Sequence, residues 1–178
     1  MPKAIVFLSK NVTYFSEIMK EITLETKLEV FDNIEELPKD VAMLIDKAAE
    51  ARKHAYAPYS KFSVGAAILL DNNEIVTGSN QENASYPSGL CAERTAIYYA
   101  GAKYPDAKML RVAIVAGSRT QQTVTPIPPC GACRQAIAEY EVKQDAPIEI
   151  YFMGETGKVV RSFSLANLLP LVFDKSFL

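Results

Sequence analysis

Three cysteines and one glutamate form the pattern best able to do chemistry. Cys91 and Glu93 lie two residues apart in one segment, and Cys130 and Cys133 three apart in another. Cys91-Ala92-Glu93 stands at the expected start of one helix, and Pro128-Pro129-Cys130-Gly131-Ala132-Cys133 at the start of a second. Residues three apart share a helix face, so the sulfurs of Cys130 and Cys133 point the same way. A helix N-terminus carries partial positive charge and unpaired N–H groups, both of which lower a thiol's pKa. Two such ends brought together offer three thiolates to one metal, and zinc binds sulfur tetrahedrally at about 2.3 Å. Three protein ligands leave a fourth position for water, as in a catalytic site. Glu93 is placed beside the metal, to reach that water rather than to ligate. Cysteines are also common as small buried hydrophobes, and a C-x-x-C pair alone is a weak metal signal. The neighbouring Glu93 tips the balance.

Three thiolates around Zn²⁺ leave surplus negative charge, which weakens the metal's pull on its water. Arg94 follows Glu93 and Arg134 follows Cys133. Guanidinium hydrogen bonds from both to the sulfurs would withdraw that charge and fix the ligands. Arg94, flanked by metal-site residues, is the stronger candidate. The only histidine, His54, lies in an earlier helix and reads as a surface or packing residue.

The elements that must hold these residues are visible in the apolar pattern. The alternation in Glu21–Phe31, with Ile22, Leu24, Leu28 and Val30 on even positions, predicts a strand with one buried face. Met19 begins this stretch and is a candidate alternative translation start, which would leave the first 18 residues as an extension. Pro38 opens a helix to about Tyr56, with Leu44, Ile45, Ala48, Ala49 and Arg52 at helical spacing. Phe62–Leu70 and Glu74–Ser79 read as strands around the hairpin turn Asp71-Asn72-Asn73. A helix follows from Ala92, ended by Gly101. Val112–Ala116 fits a strand covered on both faces. Cys130–Tyr140 is a further helix, and Ile148–Met153 and Val159–Phe163 are strands. Ser164 caps a short last helix that Pro170 closes. One three-layer α/β/α sandwich with a mixed sheet accounts for this order. Residues 1–40 form an extension carrying a strand in the same globule, and residues 41–178 the catalytic domain.

Bulk properties exclude several classes. With 178 residues, 49% hydrophobic and 22% charged, the chain suits one globular core. The charge balance of 19 basic against 21 acidic residues offers no positive stripe for a nucleic-acid polymer. No run approaches the roughly 20 apolar residues that span a bilayer. The opening Met1–Lys10 is too short for a secretory core and has no small-residue cleavage site. These features point to the cytoplasm, where three cysteines are ligands or free thiols rather than disulfides.

Four motifs, in order, resemble the homotetrameric cytidine deaminases: Ser60-Lys61-Phe62-Ser63-Val64-Gly65-Ala66-Ala67, Asn80-Gln81-Glu82-Asn83-Ala84-Ser85-Tyr86-Pro87, Cys91-Ala92-Glu93-Arg94-Thr95-Ala96-Ile97 and Pro129-Cys130-Gly131-Ala132-Cys133-Arg134-Gln135. The match runs from about Val41 to Phe173. Zinc deaminases share a ligand-x-Glu element followed by Pro-Cys-x-x-Cys, the Glu not being a ligand; here Cys91 stands where others have His. The resemblance implies hydrolytic deamination of cytidine and deoxycytidine to uridine and deoxyuridine, a pyrimidine salvage step. Zn²⁺ would sit on Cys91, Cys130 and Cys133, with Glu93 as proton shuttle. It implies that Asn80 and Glu82 hold the ribose 3′-hydroxyl and that Phe62 packs on the base. The Ala92 N–H would meet the base carbonyl, and the Pro128 carbonyl the leaving amine. Leu168-Leu169-Pro170-Leu171-Val172-Phe173 resembles the family's closing motif, whose Phe stacks in a neighbouring subunit's site, and Tyr86 matches another residue that crosses subunits. A homotetramer with shared active sites is therefore expected. Each aromatic also has an ordinary reading as core. Pro128 replaces a frequent Ser, and Gln81 a usual apolar residue.

Three rivals are weighed. Deamination of an aminoacylnucleoside antibiotic such as blasticidin S shares the metal plan, but Asn80 and Glu82 favour a free sugar. A nucleotide deaminase usually has His as first ligand and needs basic residues for phosphate. A structural zinc protein needs a fourth protein ligand, and neither His54 nor a fourth cysteine is well placed for it.

Overall fold

The computed structural model describes residues 20–178. The candidate start at Met19 lies outside them. Their core is a six-stranded sheet in the order β1-β6-β5-β4-β2-β3. The strands are β1 (Glu29–Phe31), β2 (Phe62–Leu70), β3 (Ile75–Ser79), β4 (Met109–Ser118), β5 (Glu149–Met153) and β6 (Val159–Ser162). Pairing is antiparallel except for β4 with β5, which run parallel because α3 (Gly131–Gln144) crosses over between them. The sheet is mixed, as expected.

Period-two alternation decides which residues meet which helix layer. Ala66, Ile68 and Leu70 of β2, Val112 and Ile114 of β4, and Ile150 and Phe152 of β5 share one core with Ala92, Ala96, Ile97 and Ala100 of α2 (Ala92–Lys103) and Ile137 of α3. Their neighbours Ala67, Ala113, Val115, Tyr151 and Met153 face the other way, onto Val41, Leu44, Ile45 and Ala48 of α1 (Lys39–Arg52). Strands in the middle of the sheet are therefore apolar on both faces, which is why they read as continuous hydrophobic runs. Pro38 precedes the first turn of α1, where a missing N–H costs nothing. Asn73 takes a positive φ of 65° in the β2–β3 turn, a conformation asparagine tolerates.

Several expectations change. The strand predicted over Glu21–Phe31 is regular only at Glu29–Phe31, and its even-numbered residues are not buried: Ile22, Leu24, Leu28 and Val30 are all exposed. Phe31 packs inward instead, against the α1 side. β1 is the sheet's edge strand, and Val30 lies on the face of β6 Val160 at the margin of the α2–α3 layer. Gly101 does not end α2, which continues to Lys103. A Cβ at Gly101 would lie 2.4 Å from the Tyr140 hydroxyl, so the glycine lets α3 pack close against α2. α3 likewise runs past Tyr140 and ends where Asp145 turns left-handed. Ser164 caps the last short turn as expected, its side chain accepting from Ala166 N–H.

Candidate active site

The two helices that share a sheet face bring their N-termini together, and the cysteines are at those termini. Cys91 is the residue that caps α2, Cys130 caps α3, and Cys133 lies in the first turn of α3. Cys130 Sγ is 3.5 Å from Cys133 Sγ and 3.9 Å from Cys91 Sγ, and all three sulfurs lie within 4.8 Å of one another. Sulfurs at the corners of a tetrahedron around zinc, at about 2.3 Å from it, stand about 3.8 Å apart. The cluster fits one Zn²⁺. It contains no fourth Cys, His, Asp or Glu donor among the described residues, and His54 is exposed beyond the end of α1.

The sulfurs perturb one another. The hydrogen bond from Cys133 pulls the Cys91 thiol down to about 5, aided by Arg94, and the same bond with burial drives Cys133 up. The Arg94 guanidinium reaches Cys91 Sγ at 3.7 Å. Arg134 does not bond a sulfur. It donates to the Pro129 carbonyl at 2.9 Å and the Leu168 carbonyl at 3.0 Å, because its place one residue past Cys133 turns it toward the loop preceding α3. It ties the ligand loop to the C-terminal segment.

Glu93, the second residue of α2, is only 5% exposed yet lines the cavity above the cysteines. Burial raises its carboxyl above the ordinary range, and the negative Cys91 beside it adds to the rise. That cavity, of about 620 Å³, is walled by Phe62, Val64, Asn80, Glu82, Tyr86, Leu90, Ile127 and Pro128 as well as by Cys91 and Cys130. Ala92 is fully buried at the start of α2, where the first backbone N–H groups have no partner within the helix.

The polar wall is fixed where the hairpin runs out. β2–β3 pairing ends at Gly65 and Ser79, and the Asn80 side chain continues it: Oδ1 accepts from Val64 N–H at 2.7 Å and Nδ2 donates to the Phe62 carbonyl at 3.0 Å. Glu82 Oε2 accepts from the N–H groups of Tyr59 (2.9 Å) and Ser60 (3.3 Å), while Oε1 accepts from the Ser60 hydroxyl. Ser60 and Tyr59 are cavity residues with no role expected from the sequence. Their signal was faint: a serine two residues before a strand, in a position to bond the Phe62 N–H, which it does at 3.0 Å. Tyr86 is 77% exposed at the rim, edge-on to Tyr59. Phe173 is not on the cavity wall of its own chain. It is 59% exposed and stacks on Phe177.

Such a site can hold a metal with one corner open, move a proton beside it, and grip a hydroxyl-bearing molecule further out. The comparisons agree with that chemistry. Residues 38–145 match the family described as the cytidine and deoxycytidylate deaminase zinc-binding region. The chain is 41% identical over 134 residues to the cytidine deaminase of Halalkalibacterium halodurans, spanning 75% of this chain and 94% of that one. It is 40% identical over 139 residues to the cytidine deaminase of Sporosarcina psychrophila, covering 76% and 93%. Its fold is similar to the crystal structure of cytidine deaminase from Burkholderia pseudomallei, with a TM-score of 0.64 and 36% identity over 77% of this chain and all of the other. The crystal structure of the Mycobacterium tuberculosis cytidine deaminase gives 0.59 and 32%.

Proposed function

Since the chain belongs to the cytidine and deoxycytidylate deaminase family, we propose that its cavity takes cytidine and deoxycytidine and converts them hydrolytically to uridine and deoxyuridine. The observation that carries this reading is the buried Glu93 standing over three sulfurs spaced for one zinc ion. Cys91, Cys130 and Cys133 hold the Zn²⁺. When bound there, zinc supplies the Lewis acidity that lowers a water's pKa from about 15.7 towards 7.

The chain's own groups do the rest. Glu93 removes a proton from the attacking water and delivers it to N3 of the pyrimidine, which makes C4 electrophilic. Hydroxide adds at C4; Glu93 then takes the proton of that new hydroxyl and passes it to the exocyclic amine, so that the C4–N bond breaks, ammonia leaves and a C4 carbonyl remains. Overall, cytidine and water give uridine and ammonia. A carboxyl raised by burial suits both transfers, because acid–base catalysis is most efficient with a pKa near the working pH. Arg94 holds Cys91 and offsets its charge. Ala92 N–H and the Pro128 carbonyl orient the base, Phe62 packs against it, and Asn80 and Glu82 bind the sugar.

Nucleosides are favoured over nucleotides because, among the described residues, Arg94 is the cation on the cavity wall and is committed to Cys91, while Glu82 would repel a phosphate. The exposure of Tyr86 and Phe173 supports a homotetramer in which both reach into neighbouring sites. The family match, over residues 38–145, begins close to the boundary between the extension we assign to residues 1–40 and the catalytic domain we assign to 41–178. Among the described residues no helix is long and apolar enough to cross a membrane. Free cysteines suit the cytoplasm. Steady-state assays on cytidine, deoxycytidine and their monophosphates, with zinc measured per chain, test the proposal. Turnover of both nucleosides at one zinc per chain is expected; zinc binding with no turnover of either would overturn it.

A further inference from the structure

The hydrogen bonds of Glu82 leave it with a countable vacancy. An ionised carboxylate offers about four lone-pair positions, two on each oxygen. Oε2 already accepts from Tyr59 N–H and Ser60 N–H, so its two are used. Among the described residues Oε1 accepts from the Ser60 hydroxyl alone, which leaves one position for an incoming hydroxyl. Ser60 is itself held, since its oxygen accepts from the Phe62 N–H. The turn is built for this grip: Lys61 takes a left-handed φ of 55°, and its N–H returns to the Ala57 carbonyl at 3.3 Å. A non-glycine residue there is uncommon and costs energy that the surroundings must offset.

We propose that Ser60 is a positioning residue for nucleoside recognition: its hydroxyl orients the Glu82 carboxylate so that Oε1 presents a single acceptor to the sugar 3′-hydroxyl. Ser60 acts through Glu82 and does not touch the reacting atoms. The inference rests on the reading of Glu82 as sugar acceptor. The bond also stabilises the charged form of Glu82, holding it below the ordinary carboxylate range.

A structural role for Ser60 is separable from this one. If Ser60 mattered only by setting Phe62 and the start of β2, its loss would weaken every cytosine nucleoside alike. Acting through Glu82, it matters only when a 3′-hydroxyl is present. The experiment measures kcat and KM for cytidine and 3′-deoxycytidine in the wild type, Ser60→Ala, Ser60→Thr, Glu82→Gln and the Ser60→Ala/Glu82→Gln double variant. In Ser60→Ala, KM for cytidine rises about tenfold with kcat within about twofold, the scale of one charge-assisted hydrogen bond. KM for 3′-deoxycytidine is unchanged, Ser60→Thr restores the cytidine value, and the alanine adds nothing in the Glu82→Gln background. Equal KM increases on both substrates, or a loss confined to kcat, overturn the role of Ser60 while Glu82→Gln still separates the substrates. If Glu82→Gln does not separate them, the reading of Glu82 as sugar acceptor fails, and the inference with it.

Discussion

Replacing Glu93 by glutamine isolates proton transfer from everything else the site does. Glutamine has the shape of glutamate and no charge, so it fills the same 5%-exposed position without the desolvation that raises the carboxyl. The folded enzyme therefore keeps its Tm. Zinc stays too, because the donor cluster consists of three sulfurs and Glu93 is not among them. What is lost is the group that removes and returns protons. General acid–base catalysis by one side chain contributes about 10²–10⁴-fold, and a single carboxylate here serves more than one transfer. The loss in kcat should thus reach at least the upper end, about 10⁴-fold, or about 5 kcal/mol at 1.36 kcal/mol per decade. The assay pairs an absorbance measurement of turnover with zinc content, thermal unfolding and uridine binding on the same preparation. Turnover within tenfold of wild type would refute the role given to Glu93. So would a loss tracking the departure of zinc, since the residue would then be holding the metal site together.

Gly78→Ala should disturb the site from behind, because the new Cβ would lie 2.6 Å from the Ala92 carbonyl and 2.7 Å from Ala96 N, both backbone of the helix that carries Cys91 and Glu93. Shifting α2 should cost about 1–3 kcal/mol in unfolding and about 10²-fold in kcat; unchanged values of both would mean that α2 has slack there. Glu141→Ala removes the acceptor for the N–H groups of Ile148 and Leu165, each at 2.8 Å, and for the Ser164 hydroxyl. Urea unfolding should show a loss of about 2–4 kcal/mol, and less than 1 kcal/mol would contradict this anchoring. Glu149 is pushed up by burial, but hydrogen bonds from Arg161 at 2.6 Å and Arg111 at 3.0 Å outweigh that and hold its carboxyl below 4.5. Its contribution is therefore present above the unfolded value and lost as pH falls through the lower folded one. Glu149→Gln should cost about 1–3 kcal/mol near pH 7, with the gap to wild type closing in acid; a gap independent of pH would exclude the carboxylate's charge as its source.

How much of this was readable beforehand depends on how far apart the interacting residues stand. The ligand pattern was legible because it is local. Cys91 and Glu93 share one helix start, Cys130 and Cys133 another, and each spacing implies its own geometry. The central strands were legible because burial on both faces leaves long apolar runs. The partners of Arg134 were not, since the Leu168 carbonyl lies 34 residues away and no spacing rule reaches that far. The end of α2 was misread because Gly101 looks like a cap until Tyr140 is placed against it. β1 was misread because alternation records where apolar residues fall but not whether a helix covers them.

The chemistry depends on these long-range contacts. Three sulfurs spaced 3.5 and 3.9 Å apart require the starts of α2 and α3 to meet to within fractions of an ångström. The cysteine motifs supply the ligands but not that meeting. It comes from close approaches at Gly78 and Gly101 and from the Arg134 bonds that fix the loop before Cys130, all of them between segments distant in sequence. A chain could keep Cys91-Ala92-Glu93 and Cys130-x-x-Cys133, carry a bulkier residue at 78 or 101, and still bear the full signature with its sulfurs too far apart for one ion. For this fold the packing of α2 on β3 and α3 is therefore as much a condition of zinc binding as the cysteines themselves.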